Sequence, residues 1–597
     1  MKYTCHIRTR DYKEWHYVSH DTPSTVIEHS FPDLIIDTPV SYKLFQDDVF
    51  EHDSETNKST LVSSTVRTEK NIPGILLLEN NRTYGRTENK KRLYYKCKPN
   101  DSKLPYFLVP YDMPMGFQKN FKNKYVTFSF QNWNDKHPCG ILSQNIGDTY
   151  DLPSFNEYQL YCKNLHKSIT TSIVKSKELL KIHSMDSYRK TILSSPDQYG
   201  TILNYEKRKD IFTVDPRGCL DRDDAISIIT RDKGDITEHI VSVYIANVWV
   251  WLEAMDLWGE IGSRVSTIYF PEMKRPMLPT VIGEQLCSLD QEHSRFAFVM
   301  QFSVVEHPKK GIYIQYLDGL KPALSQCSIK VAHNFDYEER NLLKYKPYLD
   351  LQTLTRKMDK NVVDSHHVIA YWMTQMNFYV AKHMKYEKMG IFRAVKSKME
   401  TTTITQSTEI PVAETLPGFI RLWEQQLSGK YVCIARDGTT EKFNELKHEV
   451  LGMDQYVHFT SPIRRMVDLL NQILWVRYHL KPVSLRENVT QFYDTQVNNI
   501  DELNRQMKTI RRIQGDAHIL HKVTNEPNIL EKTYEAIVLT QEDKPALYIE
   551  KLEWMTHAYL TQSYRKYDRI QCKLYVFEKE EQMRKKIRIQ EIVDTIK

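Results

Sequence analysis

The sequence has no apolar run long enough to cross a bilayer. Its most apolar stretch, Ile240 to Leu252, is interrupted by Asn247 and falls well short of the roughly 20 residues a spanning helix needs. No membrane span and no membrane partner are expected. The opening MKYTCHIRTRDYKEW lacks the apolar block of a secretory leader, so the chain is expected inside the cell, in the cytoplasm, with a nuclear or organellar location as the alternative. Its nine cysteines (Cys5, Cys97, Cys139, Cys162, Cys219, Cys287, Cys327, Cys433 and Cys572) form no CxxC pair and no dense block, which excludes a disulfide scaffold and predicts reduced thiols. Repeats and low-complexity tracts are absent. A strong charge of one sign is lacking too: 82 basic against 76 acidic side chains leave +6, too mild a surplus to mark a nucleic-acid binder by itself.

What is present is length and patterning. With 597 residues, 41% hydrophobic and 26% charged, the chain exceeds one core and predicts three or four domains. From Val40 to about Leu160, short β-type runs such as IPGILLLENN, KRLYYKCK, YFLVPYD and KYVTFSFQNW are spaced as in small all-β barrels. Residues 163–200 read as a helical connector. A large mixed α/β region follows, with helical candidates at 361–388, 462–480 and 496–523. YEAIVLT, ALYIEKL and RIQCKLYVFE then return to strands, predicting a closing OB-like barrel. The expected fold class is therefore a multidomain α/β (α+β) protein in which a large mixed body is flanked by small all-β OB-fold barrels. The expected segments are a partial OB-like region at 1–70, an OB domain at 71–165, a helical linker at 166–204, the mixed α/β domain at 205–527 and an OB domain at 528–597. The 36 tyrosines could stack on bases, although most aromatic residues simply fill cores.

DPRGCLDRDDAISI, residues 215–228, places Asp215, Asp221, Asp223 and Asp224 within ten positions between two β-rich runs. Asp215 is predicted to end one strand, and the other three to sit on the turn into the next. Four ionised carboxylates repel unless they are solvated or share cations. Divalent ions remove the conflict, and an all-oxygen ligand set selects hard ions such as Mg²⁺ or Mn²⁺. A solvated acidic hairpin remains the plain alternative. A calcium loop fits badly, because counting from Asp221 puts Ile226 where glycine is required and Asp232 where a bidentate glutamate is required.

A second segment strengthens the metal reading. In YVHFTSPIRRMVDLL, residues 456–470, Ser461 is a candidate N-cap, Pro462 the first helical residue, and Arg464 a first-turn arginine. A helix N-terminus attracts anions, and a guanidinium fork suits a phosphate. An exposed helix-end arginine is the alternative for Arg464 and Arg465.

Together with RPMLPTVIGEQLCSL, residues 275–289, these segments resemble the D-x5-D-x-D-D, P-M-L-P…L-C-S-L and H-F-T-S-P-I-R-R motifs of the RNase II/RNase R (RNB) family of hydrolytic 3′-to-5′ exoribonucleases. The branch most similar is the eukaryotic one that includes the catalytic exosome subunit. The resemblance implies that Asp215, Asp221, Asp223 and Asp224 hold Mg²⁺, or Mn²⁺, in a two-metal mechanism, and that Arg464 grips the scissile phosphate. It implies RNA-binding roles for Tyr269, Tyr337, Arg393 and Arg465, with core packing as the alternative for the two tyrosines; Asn377 also falls on a family position. The implied activity is processive degradation of single-stranded RNA to nucleoside 5′-monophosphates.

The chain departs from the family pattern at Tyr244, Asn247, Ala370, Tyr371 and Val395, which puts the geometry around the site in doubt. A catalytically impaired RNA-binding protein on the same fold is therefore the alternative function, and a deoxyribonuclease a further one. The stretch before residue 71 is short for a full cold-shock module and no nuclease domain precedes it. A monomer without stable exosome attachment is expected.

Overall fold

Alternation of buried and half-exposed residues begins at the very start of the chain. In Lys2–Ile7, Tyr3, Cys5 and Ile7 are buried while their neighbours are half exposed, the period of a strand with one face on a core. The computed structural model describes residues 2–19, 26–27, 38–53, 55–56, 58–79, 81–88, 91–112, 121–315, 324–395, 429–434, 446–448, 451–480, 486–526, 528–579 and 584–592. The chain divides into two compact units, one of residues 1–166, 270–273 and 511–597, the other of residues 167–269 and 274–510.

The first unit holds three β assemblies. The first is a five-stranded sheet with the order Val26–Ile27, Trp15–Ser19, Lys2–Ile7, Val49–Asp53, Lys58–Ser63. Strands thus begin well before Val40, where the sequence pattern was expected to turn β-like; KYTCHI is too short a run to stand out until its partner strand is known. The second is a closed five-stranded barrel built from Ile72–Leu76, Leu93–Pro99, Phe107–Tyr111, Lys124–Asn132 and Cys139–Asp148. At Gly74 a Cβ would lie 2.8 Å from Cys97 Sγ and 2.9 Å from Phe128, so only glycine lets these barrel walls close. Phe45 stacks on Phe107 and Trp133, with centroids 5.7 and 4.9 Å apart, in one core shared by sheet and barrel. The third is an antiparallel sheet with the order Trp554–His557, Ala546–Ile549, Thr533–Val538, Arg569–Lys579, Arg584–Glu591.

The second unit is the mixed α/β body. Its main sheet runs Ile202–Asn204, Leu324–Lys330, Ser294–His307, Thr237–Ala246, Asp224–Asp232, Phe212–Asp215, His333–Asp336, with Gly311–Gln315 paired to Ser294–His307. The run Ile240–Leu252 resolves into the end of one strand and the helix Val248–Ala254. Asn247 divides them: its Oδ1 caps the helix by accepting from Val250 N–H at 3.1 Å. Its long helices include Ser365–Tyr386 and Met466–His479. Among the described residues no helix is long and apolar enough to cross a membrane, and none of the nine cysteines is in a disulfide.

Asp48, fully buried in the first unit, accepts the Phe45 N–H at 2.8 Å. Burial nevertheless pushes its carboxyl up to about 6. A folded-state value above the unfolded one favours the fold while the group is protonated, and that contribution is lost as pH rises through 6. We predict that the stability of Asp48→Asn relative to wild type improves by about 3 kcal/mol between pH 4 and pH 7. Urea unfolding at the two pH values measures it, and a pH-independent difference refutes it.

Candidate active site

The acidic turn is shaped by its backbone before its charges act. Phe212–Asp215 ends at Asp215, and Cys219 N–H closes a turn onto the Pro216 carbonyl at 3.0 Å with Gly218 at φ +78°. That is the left-handed third position of a type II turn, where glycine costs nothing. The next strand starts at Asp224, one residue before the sequence placed it. Ser288 and Leu289 clamp the descending arm: Arg222 N–H donates to Ser288 Oγ at 3.1 Å, and Leu289 N–H donates to the Arg222 carbonyl at 3.0 Å.

Three of the four aspartates face a cationic side chain of their own. Asp223 accepts from Arg464 Nε at 2.9 Å and, through its other oxygen, from Ile463 N–H at 2.8 Å. Asp221 accepts from Tyr269 Oη at 2.9 Å and from Lys274 Nζ at 3.2 Å. Asp215 Oδ2 lies 3.7 Å from Arg222 Nε, too far for a hydrogen bond, and is a buried oxygen without a donor. Burial pushes the carboxyls of Asp215 and Asp223 up to about 6 and about 7. Asp224 is raised by burial and then by the charges of Asp215 and Asp223.

Residues 461–465 differ from the sequence expectation. The helix begins at Met466, with Arg465 at its N-cap, so Arg464 lies in the preceding turn and not in a first helical turn. Ser461 does not cap the helix; its N–H donates to Asp468 Oδ1 at 2.7 Å. Tertiary bonds override the local capping pattern: the Arg464 carbonyl accepts from Thr267 N–H at 2.9 Å and Ser266 Oγ at 2.8 Å, while Asp223 holds the same turn from the other side. Arg464 keeps a side chain 46% exposed with N–H groups left for an anion. Arg465 donates to the fully buried Asp468 at 2.9 Å, which engages it within the protein.

Tyr269 and Lys274 are cross-strand neighbours of the hairpin Ile268–Tyr269/Lys274–Arg275, so one register sends both to Asp221. Tyr337 donates its backbone N–H to the Asp215 carbonyl at 3.0 Å, and its ring stacks on His366 with centroids 3.5 Å apart. Arg393 lies with its guanidinium carbon 5.0 Å from the Tyr431 ring centroid and donates to the Gly429 carbonyl. Asn377, buried, accepts Phe459 N–H at 2.9 Å and donates to Tyr456 Oη and Thr460 Oγ1. The departures at Tyr244, Asn247 and Val395 are all buried.

The donor set suits a divalent cation in kind: carboxylate oxygens, one of them buried and unsatisfied, with carboxyls raised by mutual repulsion and burial. Among the described residues, however, no group of three or more His, Cys, Asp or Glu stands together as a metal-holding set, Asp221 and Asp223 being turned to Lys274 and Arg464. Sequence reasoning missed Lys274, Arg222, Ser288, Asp468 and Asn471. Asn471 brackets Ile391 with both backbone bonds and also reaches the His458 carbonyl at 2.9 Å. Only the basic residue between two aspartates in LDRDD offered a local signal.

Fold and site define a multidomain protein whose mixed α/β body carries an acidic turn against an arginine loop, flanked in sequence by small β assemblies of OB type. Residues 205–347 and 332–481 match the RNB domain family. Ribonuclease R of Chlamydia muridarum is 26% identical over 321 residues, covering 44% of this chain and 45% of that protein, so the match spans less than half of that relative. The RNase R of Mycoplasma genitalium, solved with ribose-methylated single-stranded RNA, superposes at a TM-score of 0.61 with 15% identity, covering 99% of this chain and 100% of that one. Yeast Ssd1, described as a pseudonuclease, superposes at 0.53 with 14% identity, covering 94% and 78%. At such identities the structures establish the shared fold alone.

Asn377→Ala leaves the Phe459 N–H buried without its acceptor and removes two further bonds. We expect a loss of about 2–4 kcal/mol, measured by urea unfolding; a loss below about 0.5 kcal/mol overturns the bracing role.

Proposed function

We propose that this chain is a divalent-metal-dependent hydrolytic exoribonuclease that degrades single-stranded RNA processively from the 3′ end to nucleoside 5′-monophosphates. The observation that carries the reading is the Asp223 carboxylate joining the acidic turn to Ile463 and Arg464, which brings an anion-binding guanidinium beside a carboxylate cluster. The match to the RNB domain family and the likeness to ribonucleases support it. Asp215, Asp221, Asp223 and Asp224 would hold the cations, Mg²⁺ or Mn²⁺. When bound, such ions polarise a phosphate and lower the pKa of an attacking water, the chemistry of a two-metal site.

The remaining roles belong to the side chains. Arg464, oriented by Asp223 and Ser461, binds the scissile phosphate through its free N–H groups. Tyr269 and Tyr337 stack on bases near the 3′ end; Arg393 and Arg465 complete the RNA path, Arg465 by stiffening the loop that presents Arg464. The segments 71–165 and 528–597 act as OB modules that guide single-stranded RNA, with 1–70 as a partial one and 166–204 as linker to the catalytic domain at 205–527. The reading includes a monomer in the cytoplasm without stable exosome attachment.

A second reading, RNA binding without turnover, is favoured by one observation: Lys274 and Arg464 engage two of the carboxylates a metal would need. Turnover of a 3′-labelled oligoribonucleotide with Mg²⁺, run beside RNA retention, separates the two. Nuclease activity in wild type and a fall of at least about 100-fold in Asp223→Asn are expected. RNA retention without monophosphate release by wild type supports the second reading, and full rate in Asp223→Asn overturns the site. Equal rates on DNA and RNA oligomers would instead revive a deoxyribonuclease.

A further inference from the structure

Lys274 has a second carboxylate to hold besides Asp221, as Arg222 holds Asp290 besides Asp215. Its Nζ sits 3.2 Å from Asp221 Oδ1 and 2.7 Å from Glu284 Oε1. Glu284 belongs to the helical segment Val281–Cys287, ahead of the Ser288 clamp. Among the described residues Arg464 pairs with Asp223 and no second acid. The other oxygen of Asp221 is taken by Tyr269. A hard cation binds carboxylate oxygens at roughly 2.0–2.1 Å for Mg²⁺, and at Asp221 it would meet the Lys274 ammonium, a like charge already on that carboxylate. An ion entering at Asp221 therefore competes with Lys274.

We propose that Lys274 is a resident counter-cation that controls metal loading of the acidic turn: it holds Asp221 when the turn is empty, and withdraws onto Glu284 when a divalent ion takes its place. This rests on the metal-dependent reading of the site. Asp215, with its unsatisfied buried Oδ2, and Asp224 accept the first ion, and the position at Asp221 fills second because an ion there displaces a hydrogen-bonded ammonium. Glu284 makes the exchange feasible, since the displaced ammonium keeps its shorter bond and is never left unpaired in a partly buried place.

Mn²⁺ is the probe, being spectroscopically visible and bound by oxygen sites more tightly than Mg²⁺ in general. The full chain is titrated with Mn²⁺ and free ion is counted by electron paramagnetic resonance, without RNA and without turnover. In Lys274→Met and Lys274→Gln the weaker phase of uptake is expected to tighten at least tenfold. In Lys274→Arg, which keeps the charge, it should stay within about twofold of wild type. In Glu284→Gln, which removes the alternative acceptor, it should weaken at least threefold. Adding Asp221→Asn to Lys274→Met should abolish the gain. Isotherms of Lys274→Met and Lys274→Gln that superpose on wild type, with uptake lost in Asp224→Asn, overturn the role of Lys274 and leave the metal reading intact. No Mn²⁺ uptake in any variant overturns both.

Discussion

The structure of the site depends on one carboxylate. Asp223 lies at the junction of turn and strand and binds two donors some 240 residues further along the chain, Ile463 N–H and Arg464 Nε. Because it is buried, with 2% of its surface exposed, neither bond is exchanged with water, and losing one would leave a charge or a donor unsatisfied in a low-dielectric place. The bond to Ile463 fixes the backbone of the arginine loop. The bond to Arg464 sets the direction of its guanidinium. One side chain thus determines both where the loop sits and how its cation points.

The same carboxylate belongs to a group that the fold does not leave charge-starved. Arg222, Lys274 and Arg464 each face a different aspartate, and burial raises Asp215, Asp223 and Asp224 toward protonation. Repulsion among four acids is met partly by internal cations and partly by protons. What remains unsatisfied is local, at Asp215 Oδ2, and it is there that an added cation gains most.

Much of this was legible in the sequence, for identifiable reasons. Strands such as Lys124–Asn132 and helices such as Ser365–Tyr386 follow from apolar periodicity, and the acidic turn is marked by charge density that no ordinary strand junction carries. The Ser461–Pro462 start of a helix was misleading because capping rules are local, whereas Thr267, Ser266 and Asp223 reach that turn from distant positions. Lys274 was invisible for the same cause. Its link to Asp221 spans 53 residues, and nothing in YFPEMKRP distinguishes a hairpin lysine that points at a carboxylate from one that points at water.

Beyond the Asp468–Arg465 pair, the remaining bracing of the site is made by amides, which add no charge. Asn377 and Asn471 hold the backbone of residues 458, 459 and 391 from two different helices, and Gln472 donates to the Ala246 carbonyl at 2.8 Å. Irregular loops packed against a core carry backbone N–H and C=O groups that secondary structure cannot satisfy. An amide side chain supplies a donor and an acceptor together, while an acid or a base supplies one kind and adds a charge. Next to four aspartates, an additional carboxylate would raise the cost of ionising the cluster and an additional cation would compete for it. Neutral brackets hold the loops in place and leave the electrostatics of the turn to Arg222, Lys274 and Arg464.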